Sequence, residues 1–81
     1  MVYIQIYIPD RNRVYDFKVS TQINILTLKS LVVEAVYNLK YEKDDIRQNY
    51  LLLDFKEHKR LNDDLTIEDY SIYNGEKFLL I

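Results

Sequence analysis

The sequence predicts a single α+β domain, in which one helix crosses a mixed sheet of four to five strands. Three observations predict it. Two early runs alternate apolar and polar residues with period two, a middle run repeats its apolar residues at three–four spacing, and four hydrophobes in a row close the chain. Together they give the order β-β-α-β-(β)-β.

The first alternating run is Val2 to Ile8, with Val2, Ile4, Ile6 and Ile8 on one face and Tyr3, Gln5 and Tyr7 on the other. Pro9 to Arg13 has turn composition. Val14 to Ser20 alternates again, with Tyr15, Phe17 and Val19 opposite Asp16, Lys18 and Ser20, so the two runs read as a β-hairpin. Between Ile25 and Leu39, the residues Leu28, Leu31, Val32, Ala35, Val36 and Leu39 form one helical stripe, and Lys29 falls on the polar side. Thr27 is the expected N-cap, and the helix is expected to run to Lys40. The charged stretch Tyr41 to Asn49 reads as a loop.

A third strand is expected over Tyr50 to Phe55. Asp54 marks its wet face, which turns Leu51, Leu53 and Phe55 inward and Tyr50 and Leu52 outward. Lys56 to Arg60 is a polar turn, and Leu61 is placed to add a short edge strand. Asn62, Asp63 and Asp64 initiate a turn through hydrogen bonds to their own backbone. Leu65 and Ile67 tuck inward, and Tyr70 carries a hydroxyl that needs a partner when its ring is buried. Asn74-Gly75 is the strongest turn dipeptide in the chain, and Phe78 to Ile81 reads as a strand paired on both edges.

Length and composition bound the rest. With 81 residues the expectation is one domain, 1–81. A chain this short buries only about 60% of its unfolded surface, and 48% hydrophobic residues, with eight Tyr and three Phe, supply the dense core it needs. There is no cysteine, which rules out disulfides and thiolate metal sites and fits a reducing compartment. No stretch reaches about 18 apolar residues, so no membrane insertion is expected. A net charge of −2 gives no basic face for nucleic acid.

The run from Leu61 through Asn62-Asp63-Asp64, Thr66-Ile67-Glu68-Asp69-Tyr70-Ser71-Ile72 and Asn74-Gly75 to Phe78-Leu79-Leu80 resembles the C-terminal part of ubiquitin-like proteins. With the hairpin and helix before it, the order resembles the ubiquitin-like β-grasp. That resemblance implies a parallel first and last strand at the sheet centre, and a Tyr70 hydroxyl bonded to backbone near Asn62-Asp63. The start at Val2, the Asn74-Gly75-Glu76 turn and the short closing strand resemble the bacterial YukD and EsaB family. Membership would imply a cytoplasmic accessory of type VII (ESX/WXG100) secretion in Gram-positive bacteria, with a cytosolic domain of a membrane secretion subunit or its motor ATPase as partner.

No residue set carries catalysis. His58, the only histidine, lies in a charged turn with no cysteine available. Asp44-Asp45 and Asp63-Asp64 are adjacent pairs, whereas a Ca²⁺ loop alternates its acids around a glycine; both read as turn formers or solvated charge. There is no zinc spacing and no Gly-rich phosphate loop. The chain is therefore expected to be no enzyme and to use no cofactor or metal. Conjugation or sulfur transfer needs a flexible Gly-Gly tail, and Gly75 is the sole glycine, so a modifier or sulfur carrier is expected only if a tail is missing.

What remains is a surface. The sheet face away from the helix is expected to carry Tyr3, Tyr50, Leu52, Leu79 and Ile81 as a protein-docking patch, with Leu52, Leu79 and Ile81 at positions matching the usual docking patch of ubiquitin-like proteins. A weak homodimer that pairs this patch with itself is a further reading.

Overall fold

The computed structural model describes residues 1–81. In chain order it contains β1 (Val2–Ile8), β2 (Arg13–Val19), α1 (Ile25–Tyr37), α2 (Lys43–Asn49), β3 (Leu52–Asp54), a 3₁₀ turn (Glu68–Tyr70) and β4 (Glu76–Leu80). The strands form one mixed sheet in the order β2-β1-β4-β3. β1 and β2 pair antiparallel as a hairpin, β1 and β4 lie parallel at the centre, and β3 closes antiparallel against β4. The closing strand is thus paired on both sides, which is why it tolerates a run of hydrophobes.

Val2, Ile4, Ile6 and Ile8 are all buried, as the alternation of β1 predicts. They meet Phe78 and Leu80 of β4, Leu52 of β3 and the inner side of α1 in one cluster of 16 buried residues. Tyr15 and Phe17 of β2 pack against this cluster but stay half-buried, because β2 is the edge strand.

The helix lies where its periodicity puts it, but turned. Its buried residues are Ile25, Leu26, Leu28, Lys29, Val32 and Val33. Leu31, expected in the core, is 46% exposed, Ala35 is exposed, and Leu39 lies beyond the helix end. The rotation follows from an earlier start. Asn24, not Thr27, is the N-cap, its side-chain oxygen accepting from the Thr27 backbone N–H at 2.8 Å. Ile25 and Leu26 then enter the first turn and pull the stripe toward themselves. The helix stops at Tyr37 because Asn38 takes the left-handed conformation and its N–H closes on the Glu34 carbonyl.

The stretch expected as a loop contains α2. Ile46 supplies its one buried contact, at 1% exposure, and Asp44 and Asp45 sit in its first turn, where their charge suits the helix dipole. Leu61 does not form a strand, but it joins the sheet edge: its N–H donates to the Leu52 carbonyl at 2.8 Å, next to a bridge between Leu53 and Arg60.

The Asn62–Asp64 turn is held from two sides. The Tyr70 hydroxyl accepts from the Asn62 N–H at 2.7 Å, as expected. Beneath the turn is an ion pair that sequence periodicity hides. Lys29 is fully buried, its Nζ 2.6 Å from Asp63 Oδ1 and donating to the Tyr50 carbonyl at 2.7 Å. The sequence places Lys29 on the polar helix face and Asp63 in a solvated turn; both are instead buried. Arg47 of α2 adds a second cation, 3.7 Å from Asp63 Oδ2, so one carboxylate ties α1, α2 and the turn together.

Candidate functional site

The outward face of the sheet is built in rows by the strand registers. One row runs Val14, Tyr7, Leu79, Leu53 across all four strands. Above it, Leu51 and Ile81 exchange backbone hydrogen bonds at 2.8 and 3.0 Å, extending β3 and β4 by one apolar pair. Below it, Asp16, Gln5 and Lys77 lie side by side, with Phe55 joined to Lys77 through the Lys77 carbonyl. Lys18 and Tyr3 start the next row, whose end is the Asn74-Gly75 turn: Gly75 N–H donates to the Tyr3 carbonyl, and Tyr3 N–H donates to Asn74 Oδ1. Gly75 has a φ of +86°, which is why this position suits glycine.

The upper rows are apolar and the lower rows polar. Tyr7 and Phe55 meet edge to face with centroids 6.1 Å apart, and the Lys77 ammonium lies 4.2 Å over the Phe55 ring. These contacts fix three large side chains in place at the centre of the face. At its margin Gln5 donates to Asp16 at 3.3 Å. Partial desolvation, with the charge of Asp16 and a hydrogen bond to it, raises the Tyr3 phenol above its ordinary range.

Of the five residues expected here, Tyr3, Leu79 and Ile81 lie on this face, and Tyr3 and Ile81 are 43% and 51% exposed. Leu52 and Tyr50 do not. Leu52 pairs with Leu80 and is 1% exposed in the core, and Tyr50 shares its side of the strand and packs against that core. The register of the third strand is one residue away from the expected one, so Leu51, Leu53 and Phe55 lie on the outer face in their place, Leu51 and Phe55 half-buried and Leu53 buried as expected although on the opposite side from Leu52. The cause is local. Leu51, Leu52 and Leu53 are apolar on both faces, and Asp54 is a poor marker of the wet side. It ends the strand, where its carboxylate accepts from the Glu57 N–H at 2.8 Å instead of lying in a solvated row.

Tyr50 helps to line a separate open cleft of about 550 Å³ at the end of the sheet, with Pro9, Asp10, Tyr37, Leu80 and Ile81. The Tyr37 hydroxyl donates to Asp10 at 3.2 Å, and Arg11 lies 4.8 Å over the Tyr37 ring. Burial raises the phenols of Tyr37 and Tyr50; Asp10 adds to the first, and Tyr41, then Asp10, to the second. His58 sits exposed in a turn with φ 58°, and no group of three or more acidic, histidine or cysteine side chains is placed to hold a metal. No helix is long and apolar enough to cross a membrane.

A sheet with parallel central strands, one long helix across its inner face and a tyrosine-anchored turn before the last strand defines a ubiquitin-like β-grasp. Solved structures bear this out. The UBL domain of Plasmodium falciparum Dsk2 superposes with a TM-score of 0.75 at 15% identity, over 98% of this chain and 93% of that one. ATBAG1, solved in complex with HSP70, superposes at 0.76, also with 15% identity, over the whole of this chain. The chain spans 40% of the length of that ATBAG1 chain. No protein-family model matches the sequence, and no curated protein matches it significantly.

Proposed function

We propose that the domain is a non-catalytic docking module that binds a protein partner through the outer sheet face. The observation that carries this is the apolar row Val14–Tyr7–Leu79 with Leu51 and Ile81 beside it, lying across the side of the sheet the helix leaves open. Contiguous apolar area rimmed by polar groups is the usual mark of a partner site. Rigid aromatics such as Tyr7 and Phe55 provide contact at low entropic cost, and tyrosine is enriched among binding hot spots. The ubiquitin-like fold supports the reading in general terms, since a neighbour of the same fold was solved in a protein complex.

In its specific form, the domain is a cytoplasmic accessory of type VII secretion, similar to YukD and EsaB, and docks a cytosolic domain of a membrane secretion subunit or its motor ATPase. The support is the sequence resemblance of the closing segment, Asn74-Gly75-Glu76 followed by Phe78 to Ile81.

The test is a pull-down from a Gram-positive lysate with the wild-type domain and with Leu79→Glu combined with Ile81→Glu, alongside melting of both proteins. The proposal expects capture of a secretion-system subunit by the wild type and its loss in the variant with the fold retained. Equal capture by both would remove the sheet face from the account.

A further inference from the structure

The two edges of the sheet are not alike. On β3 the outer side is closed by residues 59–61, through the Asp54 N–H to the Lys59 carbonyl, the Leu61 N–H to the Leu52 carbonyl and the Leu53–Arg60 bridge. On β2 the outer side has no strand against it. Alternate residues of β2 therefore turn their N–H and C=O groups away from the sheet, over a length of seven residues.

Natural edges are usually guarded by charge that repels a second strand. The charges on this edge are arranged differently. Asp16 and Lys18 are both exposed, lie on the same face of β2 and carry opposite signs, and neither forms an ion pair within the domain. Asp16 accepts from the Gln5 amide and the Tyr3 phenol, both neutral. In an antiparallel pairing of two copies centred on Phe17, Asp16 of each copy lies opposite Lys18 of the other. The pattern is its own complement. The same register sets Phe17 against Phe17 and Tyr15 against Val19 on the helix side, where Tyr15 and Phe17 are left half-buried.

We propose that β2 is a homodimer edge, at which two copies of this chain join their four-stranded sheets into one continuous sheet by antiparallel β2–β2 pairing centred on Phe17. A second copy is the occupant the charges select, because a foreign strand would have to supply the matching sequence of signs. The two-fold axis of such a pairing is perpendicular to the sheet, so the outer faces of both copies look the same way. Dimerisation by this edge leaves the proposed docking face free and makes it bivalent.

The test is sedimentation or light scattering across a concentration series. The wild type is expected to shift from 9.8 kDa to twice that mass with rising concentration. Asp16→Lys and Lys18→Asp are expected each to weaken association about tenfold, since each places like charges directly opposite one another at two symmetric positions. Both substituted side chains are exposed, and unchanged melting of each variant shows that the fold is retained. An equimolar mixture of the two variants is expected to restore the dimer, because every cross-strand charge pair is then attractive. A wild type that stays monomeric up to millimolar concentration overturns the proposal and leaves the edge to a strand of another protein. A dimer indifferent to both reversals, or one that mixing does not restore, overturns it as well.

Discussion

Replacing Asp63 by alanine should be among the most damaging changes this domain can undergo, although the residue sits in a turn. The carboxylate is almost fully buried, with its Oδ1 2.6 Å from the Lys29 ammonium, whose own side chain is completely enclosed. The ammonium and carboxylate stand at hydrogen-bond distance, and Arg47 lies 3.7 Å from the second oxygen. Without Asp63 the ammonium keeps only the Tyr50 carbonyl. Removing one partner of a buried pair costs about 3–5 kcal/mol, because the other is left as an uncompensated charge. Against a total of about 5–15 kcal/mol that is a large fraction. At about 4–8 °C per kcal/mol for a domain of this size, the melting temperature should fall by more than about 10 °C. Lys29→Met should cost less, about 1–3 kcal/mol, since Asp63 then retains Arg47 at 3.7 Å and a side chain of similar volume fills the space. Combining Lys29→Met with Asp63→Ala should cost less than the sum of the two alone, because neither buried ion is left without its partner. Urea denaturation of the three variants measures this directly. A loss of less than about 1 kcal/mol in Asp63→Ala would refute the reasoning, since it would mean that water reaches the ammonium and the pair is an ordinary surface contact.

Two further predictions concern helix placement and pH. Ile46→Ala, which empties the one core contact of α2, should cost about 2–5 kcal/mol, whereas Leu31→Ala on the exposed side of α1 should change melting by about 0.5 kcal/mol or less; the reverse order would mean that α1 is rotated back toward its expected stripe. The phenols of Tyr37 and Tyr50 are raised above 10.0 in the folded state, so the fold favours their neutral form. Their contribution is complete below about pH 10 and is lost as pH rises through the raised folded values. Melting should therefore decline in that alkaline window, and Tyr50→Phe should soften the decline; an identical decline in the variant, followed by tyrosinate absorbance, would remove Tyr50 from the cause.

Much of the fold was legible because its signals are local. The alternation of Val2 to Ile8 identifies β1 and its buried face, Asn74-Gly75 marks the turn before β4, and the spacing from Asn62 to Tyr70 anticipates the hydroxyl contact at 2.7 Å. What was hidden depends on partners distant in sequence. Lys29 reads as polar until Asp63 is seen beneath it, 34 positions along the chain. α2 offers only Ile46 as an apolar contact, too little for a helical period to register. The candidate site was half legible for the same reason. Tyr3, Leu79 and Ile81 sit on strands or strand extensions whose pairing is unambiguous, while Leu51-Leu52-Leu53 is apolar in every register, and pairing with β4 alone decides that Leu52 goes inward.

The central claim is that the outer sheet face does the docking, and the most direct measurement is an amide and methyl chemical-shift map of the labelled domain titrated with its captured partner. The account predicts perturbations concentrated at Tyr7, Leu51, Leu53, Phe55, Leu79 and Ile81, with Leu31 and Ala35 on the exposed side of α1 unmoved. A map centred instead on α1, or on the turn of Lys56, Lys59 and Arg60, would contradict it.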